Sequence, residues 1–151
     1  MERANRILCE GNSGRSFATL VCARVSPTGR LEVANAGHCP PLVARKSSVT
    51  RIETASLPLG MFTDVEYEVE CHQLEPGDTL ILYTDGVTET YNGDDDYGCQ
   101  RVEEMLRRCF SHDPRSLVDA CIADLAAFRG HSSATDDVTL MAVRRSIQPQ
   151  A

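Results

Sequence analysis

From Leu80 to Thr84 the chain reads Leu-Ile-Leu-Tyr-Thr, an unbroken, mostly apolar run set between Pro76-Gly77-Asp78 and Asp85-Gly86. A run of this kind, punctuated by turn formers at both ends, reads as a strand covered on both faces. Its far end delivers an aspartate at the sheet's edge while the glycine lets the backbone turn away. The pattern is echoed near the C-terminus, where Thr135-Asp136-Asp137 opens onto a second apolar strand, Val138 to Val143. Asp85 and Asp136 stand 51 positions apart. Two strands that present carboxylates at their ends can gather hard oxygen ligands around a divalent cation, so metal-assisted hydrolysis is the first functional expectation. The plainer reading of the same residues is an Asp-Gly turn that bonds its own backbone and an acid pair at a solvated loop end.

Composition narrows the field. At 151 residues, 42% hydrophobic and 25% charged, the chain is expected to be one soluble domain, 1–151, with a genuine core (about residues 15–145). A net charge of −7 argues against a nucleic-acid face, which needs clustered Lys and Arg, and against anionic membrane surfaces. Asp85, Asp94, Asp95, Asp96, Asp136 and Asp137 sit in three short segments, which favours local cation attraction as well as a solvated acidic surface. There is no signal peptide and no apolar run of bilayer-spanning length, so a cytoplasmic location without direct membrane contact is expected. The seven cysteines, Cys9, Cys22, Cys39, Cys71, Cys99, Cys109 and Cys121, form no Cys-x-x-Cys pair and are expected to be reduced, buried thiols.

Ala4 to Glu10 reads as the end of a helix stopped by Gly11-Asn12-Ser13-Gly14. Phe17 to Val25 and Arg30 to Ala34 form an expected hairpin about Ser26-Pro27-Thr28-Gly29. Leu42-Val43-Ala44 and Val49 to Ile52 suggest a second hairpin around Arg45 to Ser48. Val65, Tyr67, Val69 and Cys71 alternate with Asp64, Glu66, Glu68 and Glu70, the period of a strand with one wet face. After the polar loop Tyr91 to Gly98, Val102, Met105, Leu106 and Cys109 fall on one helical stripe. Asp113-Pro114 marks the start of another helix, with the acid as cap, presenting Leu117, Cys121, Ile122, Leu125 and Phe128 before Gly130. Ser146 to Ala151 reads as a frayed tail. The sum is an α+β domain of mainly antiparallel strands with helices outside.

Taken in order, Phe17-Ala18-Thr19-Leu20, Gly29 to His38 with Pro40-Pro41, Leu57-Pro58-Leu59-Gly60, Pro76-Gly77-Asp78, Thr84-Asp85-Gly86-Val87-Thr88-Glu89 and Asp136-Asp137-Val138-Thr139 resemble the C-terminal part of a stage II sporulation E-like serine phosphatase, a bacterial branch of the metal-dependent (type 2C) protein phosphatases. The resemblance implies a four-layer αββα sandwich. It also implies Asp85 and Asp136 as ligands of a binuclear Mn²⁺ or Mg²⁺ centre that activates water for in-line attack on phosphorus, with Gly86, Glu89 and Asp137 beside them. Glu89 could orient the attacking water. The implied substrate is a phosphoserine or phosphothreonine regulator such as an anti-sigma-factor antagonist in a partner-switching circuit, with a sensor or receiver domain upstream. The family's first metal motif, which holds the bridging aspartate, has no counterpart in Met1 to Ser16. The N-terminal strands of the family domain are therefore expected to be absent, ion binding by this chain alone to be weak, and self-association through uncovered edges to follow.

Three other readings compete. One is a non-catalytic protein-binding module that keeps the fold without a complete site. Another is a cysteine-dependent phosphatase loop, because Cys39 is followed by Arg45 in His38-Cys39-Pro40-Pro41-Leu42-Val43-Ala44-Arg45. Its two prolines remove N–H donors that a phosphate cradle needs, and no glycine follows, so His38 is expected to bond nearby backbone in a turn. The third, Asn92, Asp94, Asp96 and Glu103 on a calcium-loop template, lacks the glycine at the sixth position, which is Tyr97.

Overall fold

The computed structural model describes residues 1–12, 16–46, 48–53, 56–93, 95–132 and 136–146. Ser13, Gly14, Asp94, Thr135 and the tail from Ile147 lie outside the described residues, as do the readings made on them. The elements are α1 (Glu2–Asn12), β1 (Leu20–Val25), β2 (Arg30–Ala36), β3 (Leu42–Arg45), β4 (Ser48–Arg51), β5 (Glu70–Gln73), β6 (Thr79–Tyr83), α2 (Asp85–Thr88), α3 (Gly98–Cys109), α4 (Pro114–Arg129) and β7 (Leu140–Arg144). They fall into two compact units, one of Met1–Pro40 with Glu53–Leu74 and one of Pro41–Ile52 with Glu75–Ala151. All strand pairing is antiparallel.

The first unit holds the sheet β1-β2-β5. Ser26 accepts from Gly29 through its carbonyl and from the Arg30 amide through its hydroxyl, which closes the expected β1–β2 hairpin. Leu31, Val33 and Ala36 are fully buried. Ala36, Leu59 and Tyr67 form a cluster against which Ala4 and Leu8 of α1 pack. Asn5, buried on α1, donates to the carbonyls of Phe62 and Thr63 and accepts from the Gly60 amide; a buried amide is tolerated when it is satisfied this way. Phe17 to Thr19 is not part of β1, but Ala18 exchanges two backbone bonds with Leu59. The alternating stretch from Val65 is a strand only from Glu70. The register places Glu70 opposite Val33, and Tyr67 is buried while Val69 is 60% exposed. The period of two marked extended backbone, but ladder bonds begin only where β2 supplies partners.

The second unit holds the sheet β4-β3-β6-β7 with α2, α3 and α4. β6 is buried at Thr79, Leu80, Ile81 and Tyr83, as its continuous apolar run requires. Val102, Met105 and Leu106 of α3 are buried, as are Leu117, Cys121 and Leu125 of α4. Ile122, expected in that stripe, is 46% exposed, since it lies beside the Leu117–Cys121–Leu125 row. Asp113 caps α4 by accepting from the Arg115 and Ser116 amides, and Gly130 ends it at φ +58°. Burial pushes the Cys121 thiol up to about 12. Cys121 is nevertheless the one buried cysteine among the described residues; Cys22 and Cys71 are exposed on flanking strands of the first sheet, which corrects the expectation of seven buried thiols. No helix among the described residues is long and apolar enough to cross a membrane.

Candidate metal centre at the ends of two paired strands

β6 and β7 pair in the register Thr79↔Arg144 through Tyr83↔Leu140. One step beyond, the Thr84 amide donates to the Thr139 carbonyl at 3.0 Å, so the ladder runs on into the two acidic segments. The Thr84 hydroxyl donates to the Asp137 carbonyl at 3.1 Å and accepts from the Thr139 amide at 2.9 Å. At Gly86 a Cβ would lie 2.4 Å from the Asp137 carbonyl oxygen and 3.0 Å from its carbon. Glycine is needed here for close approach, not for backbone freedom. The contact between Gly86 and Asp137 leaves Asp85 and Asp136 each one residue away from it, so the pairing brings the two predicted ligands to one sheet end.

Asp85 opens α2, a single turn closed by the Glu89 amide on the Asp85 carbonyl at 2.8 Å. The Thr90 hydroxyl fixes the Gly86 carbonyl at 2.7 Å. Asp85, Glu89, Asp136 and Asp137 are exposed. Each of the two expected ligands accepts from the next amide through Oδ1, Gly86 to Asp85 at 3.1 Å and Asp137 to Asp136 at 2.7 Å. These are the local bonds of the plainer turn reading, and they leave both Oδ2 atoms turned to no protein donor among the described residues. In kind, the donors fit a hard divalent cation, being exposed carboxylates that no Lys or Arg among the described residues neutralises. In number they are few, since no group of three or more His, Cys, Asp or Glu able to hold a metal occurs among the described residues.

The other motifs resolve differently. The His38 ring meets the Thr19 hydroxyl at 3.0 Å through Nδ1, a side chain rather than the nearby backbone expected. The turn itself is held by Asn35, which accepts from the His38 amide and donates to its carbonyl. Leu42–Arg45 is extended β3, and the Arg45 guanidinium is committed to Asp78, so this segment does not form a phosphate cradle. Glu103 of the calcium template pairs with Arg51 and Arg107. Sequence reasoning placed Thr84 in the Thr84–Glu89 motif and at the end of a strand but gave its hydroxyl no role, because its partners lie 53 and 55 positions away.

The sequence model of stage II sporulation protein E (SpoIIE) matches residues 1–146. The chain belongs to the SpoIIE family. Among its relatives, Protein IcfG of Synechocystis sp. is 30% identical over 86% of this chain and 21% of its own length. The phosphoserine phosphatase RsbU of Bacillus subtilis is 26% identical over 97% of this chain and 44% of its own. This SpoIIE-family chain thus spans less than half the length of either curated relative. Among solved structures, the PP2C phosphatase domain of the cell fate determinant SpoIIE from Bacillus subtilis superposes with a TM-score of 0.80 at 23% identity, covering 93% of this chain and 41% of that one. The antiparallel sheets with flanking helices are those of a PP2C phosphatase domain, as the sequence led one to expect.

Proposed function

We propose that this chain is the downstream portion of a single metal-dependent serine/threonine phosphatase domain, acting in the cytoplasm on a phosphorylated regulatory protein such as an anti-sigma-factor antagonist. The observation that carries the proposal is the continuation of the β6–β7 pairing past Tyr83, which sets Asp85 and Asp136 at one end of the sheet with carboxylates that no Lys or Arg among the described residues neutralises. Asp85 and Asp136 would hold the cation. Bound there, Mn²⁺ or Mg²⁺ would supply the positive charge that activates water and steadies the oxygens of the transferring phosphoryl group. Asp137 serves through its backbone, with its carbonyl against Thr84 and Gly86. Glu89 ends the turn that Asp85 begins, and its exposed carboxylate is available to orient water or substrate. RsbU, a phosphoserine phosphatase by name and aligned over nearly the whole of this chain, supports the substrate class.

Phosphate release from a phosphoserine protein tests the reading. Release should need Mn²⁺ or Mg²⁺, stop with EDTA, and fall by orders of magnitude in Asp85→Asn and Asp136→Asn. Capture of the phosphoprotein with no release under any metal condition would point instead to a binding module.

A further inference from the structure

We infer that Thr84 is a positioning residue whose hydroxyl locks the Asp136-bearing loop to the end of β6, so that the Asp85 and Asp136 carboxylates are presented together to one divalent cation. The inference rests on the cation reading proposed above. Thr84 occupies the N-cap position of α2, where a threonine ordinarily accepts from an amide of the first helical turn; here it makes no such bond. Its hydroxyl is spent across the sheet instead, giving its proton to the Asp137 carbonyl and taking the Thr139 amide. Together with the backbone bond from the Thr84 amide to the Thr139 carbonyl, this fastens one residue by three bonds to the three-residue segment that follows Asp136.

The lock has two halves. The hydroxyl pulls the Asp137 carbonyl toward β6, and the missing side chain at Gly86 lets it come within a distance no Cβ would permit. Neither half touches a carboxylate oxygen. What they fix is the spacing of the peptides on which the two carboxylates hang, and groups of this type, which orient ligands from behind, commonly set metal affinity by ten- to a hundredfold. The first half needs a side chain that both donates and accepts at a β-compatible position, which threonine provides and valine, its isostere, does not.

Residue-resolved line broadening by Mn²⁺ in the amide NMR spectrum of the 151-residue chain provides the test, because it detects even weak occupancy and needs no turnover. In the wild type, amides of residues 85–89 and 136–138 should broaden together at one Mn²⁺ concentration. Thr84→Val should raise that concentration roughly tenfold, separate the responses of the two segments, and speed hydrogen exchange at the Thr139 amide. Thr84→Ser should restore the wild-type response. Should Thr84→Val lose the native spectrum, Thr84→Ala carries the same expectation. A Thr84→Val response equal to wild type, with Asp85→Asn and Asp136→Asn both abolishing broadening, would overturn the lock and leave the cation reading standing. No broadening in the wild type, or wild-type broadening in both Asp→Asn variants, would overturn the cation reading and the lock with it.

Discussion

The two ends of β6 carry an aspartate each, and their surroundings are opposite. Asp78, just before the strand, is 3% exposed. Its Oδ2 accepts from Arg45 Nε at 2.9 Å, Arg45 Nη2 at 2.7 Å and the Glu75 amide at 2.8 Å. Asp85, just after the strand, is exposed, and the one donor it engages among the described residues is its neighbour's amide. Both stand in motif segments of similar look, Pro-Gly-Asp and Thr-Asp-Gly. One carboxylate has its counter-charge built into the fold and so can hold only the fold together. The other has none among the described residues, which is what the proposed cation role requires. Whether a strand-end acid is structural or chemical is decided by what neutralises it, which a motif does not display.

The largest effect expected from this contrast is on turnover. Asp85→Asn should cut metal-dependent phosphate release by orders of magnitude while shifting unfolding stability by no more than about 0.5 kcal/mol, as befits an exposed position outside the core. Denaturant titration beside the phosphatase assay checks both halves. A large loss of stability in Asp85→Asn would erase the distinction between the two ends. Gly86→Ala comes next. Its Cβ would have to displace the Asp137 carbonyl, and a misplacement near 1 Å at such a site costs about a hundredfold in rate. Full activity in that variant would show the close approach to be irrelevant.

At the other end the order of effects reverses. Asp78→Asn should lower stability by about 2 kcal/mol, because it leaves Arg45 and the Glu75 amide facing a weaker acceptor in place of a buried carboxylate. The half-exposed Arg45 side chain, at 47%, keeps the cost below that of a fully buried pair. Mn²⁺-induced line broadening at residues 85–89 should be unchanged, and its loss would mean that the two ends are coupled. Much of this layout was legible beforehand. Continuous apolar residues marked β6, Asp113-Pro114 and Gly130 bracketed α4, and two acid-bearing strand ends named Asp85 and Asp136, because those signals are local. The part that escaped depends on partners distant in sequence. Thr84 reaches a carbonyl 53 positions away, Asp78 finds Arg45 across 33, and Val65 to Val69 has the alternation of a strand but no facing ladder residues among the described residues. Cys22 and Cys71 look like core in sequence, yet sit exposed on flanking strands.

The smallest effect should come from Cys39→Ser, and the closed end of β6 explains why. A thiolate route through Cys39 would need an arginine free to hold the phosphoryl oxygens and a loop of N–H donors curled around them. The only arginine at that sequence spacing, Arg45, gives two N–H groups to Asp78, and the residues leading to it lie in extended β3 rather than in a loop. Two prolines before that strand supply no N–H at all. Serine in place of Cys39 should therefore leave phosphate release within about twofold of wild type, since the arginine and the loop of N–H donors that a phosphocysteine route requires are not provided by the segment that follows it. The sharper form of the experiment pairs it with EDTA. Release that survives chelation and disappears in Cys39→Ser, with folding intact by circular dichroism, would transfer the chemistry from the open end of β6 to the cysteine and make the Asp85 and Asp136 carboxylates a solvated loop end after all.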